Sequence, residues 1–269
     1  MIKLTDNEFT DMVTYVKSNY GINLINKRQL IESRMYSVLM EKKMESFSDY
    51  FKLIKGNDAR EITVLLNKLT TNHTYFMREQ AHFAFLKTVI LPQIVKKNSN
   101  KEMRIWSAGC SSGEEAYTTV MVIKDFLGLQ SNQWKFQILA TDISANAIEK
   151  AQKATYQEDF LKNLDPSWKR RYFMFKDGSY QLKPEIRKEV LFKHFNLMDP
   201  IPFHKGFDLI FCRNVMIYFD QETKSNLINR FYDVIKPGGY LFIGHSETIQ
   251  RDQSKFKYIQ PSVYQKGGR

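Results

Sequence analysis

The sequence predicts an α/β protein: a parallel sheet flanked by helices on both faces, preceded by an all-α subdomain and interrupted by a small antiparallel β insertion. Three observations predict it. Apolar positions in residues 1–75 recur only at helical spacing. From Glu102 the short apolar runs MRIWSA, FQILATD, FDLIFC and GYLFIGH alternate with helical segments, the pattern of parallel strands joined by crossover helices. Within residues 165–196, β segments crowd together around Asp177-Gly178 with little room for helices.

The elements follow in order. Thr5-Asp-Asn-Glu8 has the form of a capping box, and Phe9, Met12, Val13 and Val16 continue a helix to Gly21. A second helix is expected over Asn26–Lys43, with Leu30, Ile31, Met35, Val38 and Leu39 as its apolar set. Helices over Phe47–Lys55, stopped by Gly56, and Asp58–Leu69 complete a helical domain spanning 1–75. Residues 76–100 form a connecting segment whose helix runs over Ala81–Lys97. The sheet domain spans 101–269, with helices at Glu114–Leu127, Ala145–Lys153 and Gln221–Ile235. Tyr172–Phe175, Tyr180–Leu182 and Val190–Phe195 are assigned to the inserted β-subdomain, and a last strand near Phe256–Tyr264 to the sheet edge.

Forty Lys and Arg against twenty-nine Asp and Glu leave a formal charge of +11, which favours acidic partners without choosing among nucleic acid, lipid and protein. No run approaches the roughly 18 apolar residues of a membrane span, and the N-terminus lacks a signal peptide's apolar stretch. Cys110 and Cys212 stand alone, without a CxxC motif, which points to a reduced, cytoplasmic protein without structural zinc. His73, His82, His194, His204 and His245 are dispersed, with no pair at ligand spacing, so no metal is expected.

The stretch Ile105–Tyr117, IWSAGCSSGEEAY, turns from the first strand into a helix, where open α/β sheets bind ligands. Its GxxxG spacing is neither a dinucleotide fingerprint nor a phosphate-binding loop, and Glu114 and Glu115 would repel a triphosphate. A nucleoside cofactor and a plain strand-to-helix turn both remain open from this stretch alone. Asp142 in ATDIS is placed to accept ribose hydroxyls or to cap the next helix with Ser144. Acidic groups after both strands describe a pocket for a positively charged nucleoside, a sulfonium rather than a pyrophosphate. FDLIFCRNVMIYFD ends its strand in Arg213 and Asn214, with Tyr218 following, and TTNHTYFMRE sets Arg78 as a candidate carboxylate clamp or a helix-terminus residue.

In this order TTNHTYFMRE, WSAGCSSGEEAYT, ATDISANAIEKA, FCRNVMIYFD and PGGYLFIGHSE resemble the CheR-type chemotaxis receptor glutamate methyltransferases over nearly the whole chain. The resemblance implies a Rossmann-like methyltransferase sheet behind an α-helical domain, S-adenosylmethionine as cofactor and S-adenosylhomocysteine as product. It implies methyl transfer to glutamate side chains on chemoreceptor cytoplasmic helices. Carried over by motif, Asn72, Thr74, Arg78, Glu115 (with Glu114 as the alternative), Asp142, Asn196, Leu197, Arg213 and Asn214 are the cofactor residues. Arg78 and Tyr218 are the catalytic candidates, and Lys27, Arg28, Arg34, Lys42 and Lys43 the substrate-docking candidates. The short turn FKDGSYQ matches members that lack a receptor tether, so no C-terminal pentapeptide is expected to bind there. The expected protein is a cytoplasmic monomer that binds neither nucleic acid nor the membrane interior. The alternatives are methylation of another protein or of RNA, and a non-catalytic cofactor-binding regulator; the Pro-Pro-Tyr/Phe loop usual in amino-group enzymes is replaced here by Arg-Asn-Val-Met-Ile-Tyr.

Overall fold

The computed structural model describes residues 2–56, 58–70, 73–203, 205–250 and 254–268. The chain divides into two compact units, Met1–Asn72 with Tyr218–Lys224, and His73–Ile217 with Ser225–Arg269. Among the described residues, no helix is long and apolar enough to cross a membrane.

The first unit is helical: α1 (Asp6–Tyr20), α2 (Arg28–Glu41), α3 (Phe47–Lys55) and α4 (Ala59–Leu69). The Thr5 hydroxyl accepts from Glu8 N while the Glu8 carboxylate accepts from Thr5 N, so two otherwise orphaned donors are satisfied reciprocally. Helix α2 buries Ile31, Met35, Val38 and Leu39, whereas Leu30 is only half-buried. It also buries Glu32, whose carboxylate is compensated by Leu4 N and Lys3 Nζ, each 3.0 Å away. The segment Tyr218–Lys224 joins this unit through Asn23 N donating to Tyr218 O at 2.7 Å and a 2.6 Å Lys17–Asp220 ion pair.

The second unit carries β1 (Glu102–Ala108), β2 (Lys135–Asp142), β3 (Thr155–Tyr156), β4 (Phe173–Lys176), β5 (Ser179–Leu182), β6 (Val190–His194), β7 (Phe207–Cys212), β8 (Ile235–Ile243), β9 (Lys257–Gln260) and β10 (Val263–Gln265). Their main sheet has the order β6-β2-β1-β7-β8-β10-β9, parallel from β6 through β8 and closed by the antiparallel β10 and β9. The chain leaves β1 toward β2 on one side and later returns with β7 on the other. The carboxyl ends of β1, β2 and β7 therefore border the switch in strand order, the place where open α/β sheets bind ligands. After β1 comes α7 (Glu114–Leu127), buried along most of its length, and after β2 comes α8 (Ala145–Lys153).

Three expectations are corrected. Val190–Phe195 does not belong to the antiparallel insertion: β6 pairs in parallel with β2 at the edge of the main sheet. Its alternation, with Val190 and Phe192 buried but Leu191 and Lys193 exposed, suits an edge strand and a hairpin strand equally, so pattern alone could not place it. The small sheet is instead β3-β5-β4, whose two-residue β3 is too short to leave a sequence signal. The insertion also holds helices α9 (Pro166–Tyr172) and α10 (Pro184–Arg187), both opened by a proline at the first helical turn. The final strand is a hairpin, β9 and β10, turning where Ser262 has φ +62°. The connecting helix, expected as one piece, is α5 (Gln80–Phe85) and α6 (Leu91–Lys97) joined by a π turn at Leu86–Ile90. Pro92 explains it, since its ring cannot coexist with a regular bond to the carbonyl four residues earlier.

Candidate active site

The turn after β1 is held by the end of β2. Gly109 N and Cys110 N donate to Thr141 O at 2.8 and 2.9 Å, and Ser111 N donates to Asp142 Oδ2 at 2.8 Å. Those backbone donors are committed, so they do not form a phosphate cradle. Gly109 has φ +85°, and a Cβ on it would lie 2.3 Å from Val215 Cγ2, so the turn needs glycine for conformation and for packing. Gly113, with φ +95°, caps α7 against Ala151, Phe192 and Tyr117.

The two glutamates that open α7 differ. Glu114 is 0% exposed and accepts from Ser112 Oγ at 2.8 Å and from the Thr74 hydroxyl. Burial pushes its carboxyl up to about 7 against those hydrogen bonds. Glu115 keeps 14% of its side chain exposed, with Ser107 Oγ donating at 2.6 Å and Arg213 Nη1 at 3.0 Å. Burial raises its pKa too, and Arg213 pulls the other way.

Arg213 follows β7, its side chain 3% exposed. Besides Glu115 it reaches Glu79 through Nε at 3.2 Å and the carbonyl of Arg78 through Nη2. Glu79 accepts further from Asn214 Nδ2 and His245 N, each at 3.3 Å. Burial works to raise the Glu79 pKa, but Arg213 and these donors hold it below its ordinary value. Glu247, buried, accepts Gly244 N at 2.6 Å, Asn214 N at 2.9 Å and Ile217 N at 3.1 Å, fixing the loop after β7 to the end of β8. Asp142 takes Ser144 N on Oδ1 at 2.9 Å; burial raises its pKa against these backbone donors.

Residues 72–265 match the family described as CheR methyltransferase, SAM binding domain, and residues 7–70 match CheR methyltransferase, all-alpha domain. The chain belongs to the CheR methyltransferase family. It is 44% identical to the chemotaxis protein methyltransferase of Borreliella burgdorferi, over 98% of this chain and 96% of that one. It is 36% identical to the chemotaxis protein methyltransferase of Escherichia coli, over 98% and 92%, and 35% identical to chemotaxis protein methyltransferase 1 of Pseudomonas aeruginosa, over 92% of each. This CheR-family protein is thus an S-adenosylmethionine-dependent methyltransferase of chemotaxis.

The donor set fits that cofactor. Carboxylates of Glu115 and Asp142 bracket a turn whose Gly109, Cys110, Ser111 and Gly113 N–H groups are committed, which suits a cationic nucleoside and not a polyphosphate. Of the residues expected at the site, Thr74, Arg78, Glu115, Asp142, Asn196, Leu197, Arg213 and Asn214 lie in the sheet unit. Tyr218 falls in the helical unit, and Asn72 lies outside the described residues. The Arg78 guanidinium donates to His73 O, while the buried Arg213 is the guanidinium that binds Glu79 and Glu115. Asn196 Oδ1 accepts from Met198 N at 3.0 Å, and Leu197 is buried, its carbonyl taking Arg230 Nη1 at 2.8 Å.

Sequence reasoning missed Glu79, Glu247, Ser107 and Ser111. Glu79 stands beside Arg78 and Glu247 within GHSET, both in quoted motifs, yet their partners lie 134 and 33 residues away. Among the described residues, Glu79, His82 and His245, dispersed along the sequence, place one donor atom each within 4.8 Å of the others. Both cysteines are buried, and burial raises their thiols well above the ordinary range, so neither is poised as a nucleophile.

Proposed function

We propose that this enzyme methylates glutamate side-chain carboxylates on the cytoplasmic helices of chemoreceptors, giving methyl esters and S-adenosylhomocysteine. The observation that carries this is the end-to-end match to chemotaxis protein methyltransferases. When bound, S-adenosylmethionine supplies an electrophilic methyl group on a sulfonium cation.

The chain's own residues bind and orient. Asp142 is assigned the ribose hydroxyls: each of its oxygens takes one backbone N–H and keeps lone pairs for more. Glu115 is assigned the ammonium of the amino-acid moiety in preference to Glu114, because Glu115 is the one with exposed surface. Arg213 and Ser107 hold that carboxylate still. Asn196 and Leu197 are assigned the adenine side, and Asn72, Thr74 and Arg78 the sulfonium and carboxylate end; Asn214, assigned to the same cofactor, has its backbone N–H held by Glu247.

No general base is needed, because a glutamate with a pKa of about 4.3 is already ionised at neutral pH. What remains is alignment of the substrate carboxylate with the methyl group, the role given to Arg78 and Tyr218. For docking, Lys27 and Lys43 are exposed. Arg28 is paired with Asp6 at 2.6 Å, Lys42 with Glu61 at 2.7 Å, and Arg34 donates to Lys68 O at 3.0 Å, so these three contribute less to the basic surface. The enzyme is assigned to the cytoplasm as a monomer that works without a pentapeptide tether and without nucleic acid.

Incubation with methyl-labelled S-adenosylmethionine and either receptor cytoplasmic fragments or RNA tests this. Base-labile label on receptor glutamates is expected. Label on RNA, or none on either, would overturn the assignment.

A further inference from the structure

His82 is 1% exposed, and among the described residues neither of its ring nitrogens has a hydrogen-bond partner. Burying a polar ring without partners is costly, so such a group points to a partner from outside the chain, an ion or a water. Around it the fold assembles two more donors. His82 Nδ1 lies 3.4 Å from Glu79 Oε2, and His245 Nε2 lies 3.8 Å from the same oxygen. The two imidazole centroids are 5.1 Å apart, and the inner ring is stacked on Phe242 at 4.9 Å, which fixes its plane. Ligand atoms around tetrahedral zinc stand about 3.3–3.5 Å apart, given metal–ligand bonds near 2.0–2.1 Å. The Glu79–His82 edge already has that length. The Glu79–His245 edge is 3.8 Å and all three donor atoms lie within 4.8 Å of one another, so the two edges that involve His245 are the ones its 51% exposed side chain has to shorten.

We propose that Glu79, His82 and His245 form a binding site for a divalent transition-metal ion of the zinc class. Two imidazoles and one carboxylate favour zinc or its neighbours over magnesium or calcium, which prefer an all-oxygen shell. Three protein donors leave a fourth position open, and the exposed His245 provides the path of entry. Glu79 Oε2 is also the partner of Arg213, 3.1 Å from Nη2. A metal ion on that oxygen competes with the guanidinium, so occupancy loosens the Arg213 clamp. The site is therefore inhibitory, and it couples metal to the cofactor through Arg213 and Glu115. That coupling rests on the cofactor assignments proposed above, whereas metal binding itself does not.

The test uses the full, tag-free chain without cofactor, titrated with zinc chloride by calorimetry, and with cobalt(II) read by its visible spectrum. One equivalent is expected, with a tetrahedral cobalt spectrum lacking a thiolate charge-transfer band. His245→Ala and His82→Gln are each expected to weaken zinc binding more than about tenfold. Thermal unfolding of His245→Ala guards against misfolding, since that side chain is half exposed. No stoichiometric binding, or binding unchanged in His245→Ala, would overturn the site and leave water as the partner of His82. With zinc bound, S-adenosylhomocysteine affinity should fall. Zinc binding with unchanged cofactor affinity would keep the site and overturn the coupling.

Discussion

Arg213 Nη1 lies 3.0 Å from Glu115 Oε2, joining the end of β7 to the first turn of α7 across the switch in strand order. The same guanidinium takes Glu79 and the carbonyl of Arg78, so one buried cation orders three separate segments of the sheet unit. Removing one partner of such a buried arrangement leaves uncompensated charge, and Arg213→Ala is expected to cost about 3–5 kcal/mol. Arg213→Lys keeps the charge but loses the planar fork, and should recover only part of that. Denaturant titration reads both, and wild-type stability in Arg213→Ala would refute the role.

Glu115→Gln should weaken S-adenosylmethionine binding more than about tenfold, the loss of at least one charge-assisted contact at roughly 1.4 kcal/mol. Glu114→Gln, at a fully buried position, should change it far less. Calorimetric affinities for both variants check the assignment, and the opposite order would transfer the role to Glu114.

Glu114 also predicts a pH dependence of stability. Its folded pKa of about 7 stands above its ordinary 4.5, so the folded protein binds the proton more tightly than the unfolded chain. The associated stability is fully present below 4.5 and is lost as pH rises through 7. A gap of that size corresponds to about 3 kcal/mol at most. Glu114→Gln imitates the protonated acid, so it should stabilise the protein at pH above 7 and do little at the acid end. Equal effects at both ends would show that the carboxyl does not titrate there.

Gly109→Ala combines a left-handed backbone with a clash at Val215, and should cost about 2–5 kcal/mol. Adding Val215→Ala removes the clash and leaves the backbone strain, so the double variant should recover part of the loss. Full recovery would mean that φ at this position is not constrained.

Arg78→Gln and Tyr218→Phe should lower kcat with receptor fragments more than they weaken S-adenosylmethionine binding, because both are assigned to alignment of the substrate carboxylate. Unchanged turnover in both variants would remove that assignment.

The sequence by itself determined the elements that local chemistry specifies. Thr5 and Glu8 cap α1, Gly21 ends it with its N–H on Lys17 O, and the apolar runs of β1, β2 and β7 announce buried parallel strands. The acid pair after the second glycine of IWSAGCSSGEEAY and Asp142 at the end of β2 could be placed at strand ends for the same reason, and strand ends in an α/β sheet mark the ligand side. Tertiary structure alone decided what depends on distant partners. It assigned β6 to the main sheet, because an edge strand's alternation fits either neighbour and only Ile138 to Asp142 on β2 supply the pairing. It also buried Arg213 between Glu79 and Glu115, and it drew His82 and His245 together around Glu79. Side chains more than a hundred residues apart meet only once the sheet order is set, and no spacing along the chain encodes that order.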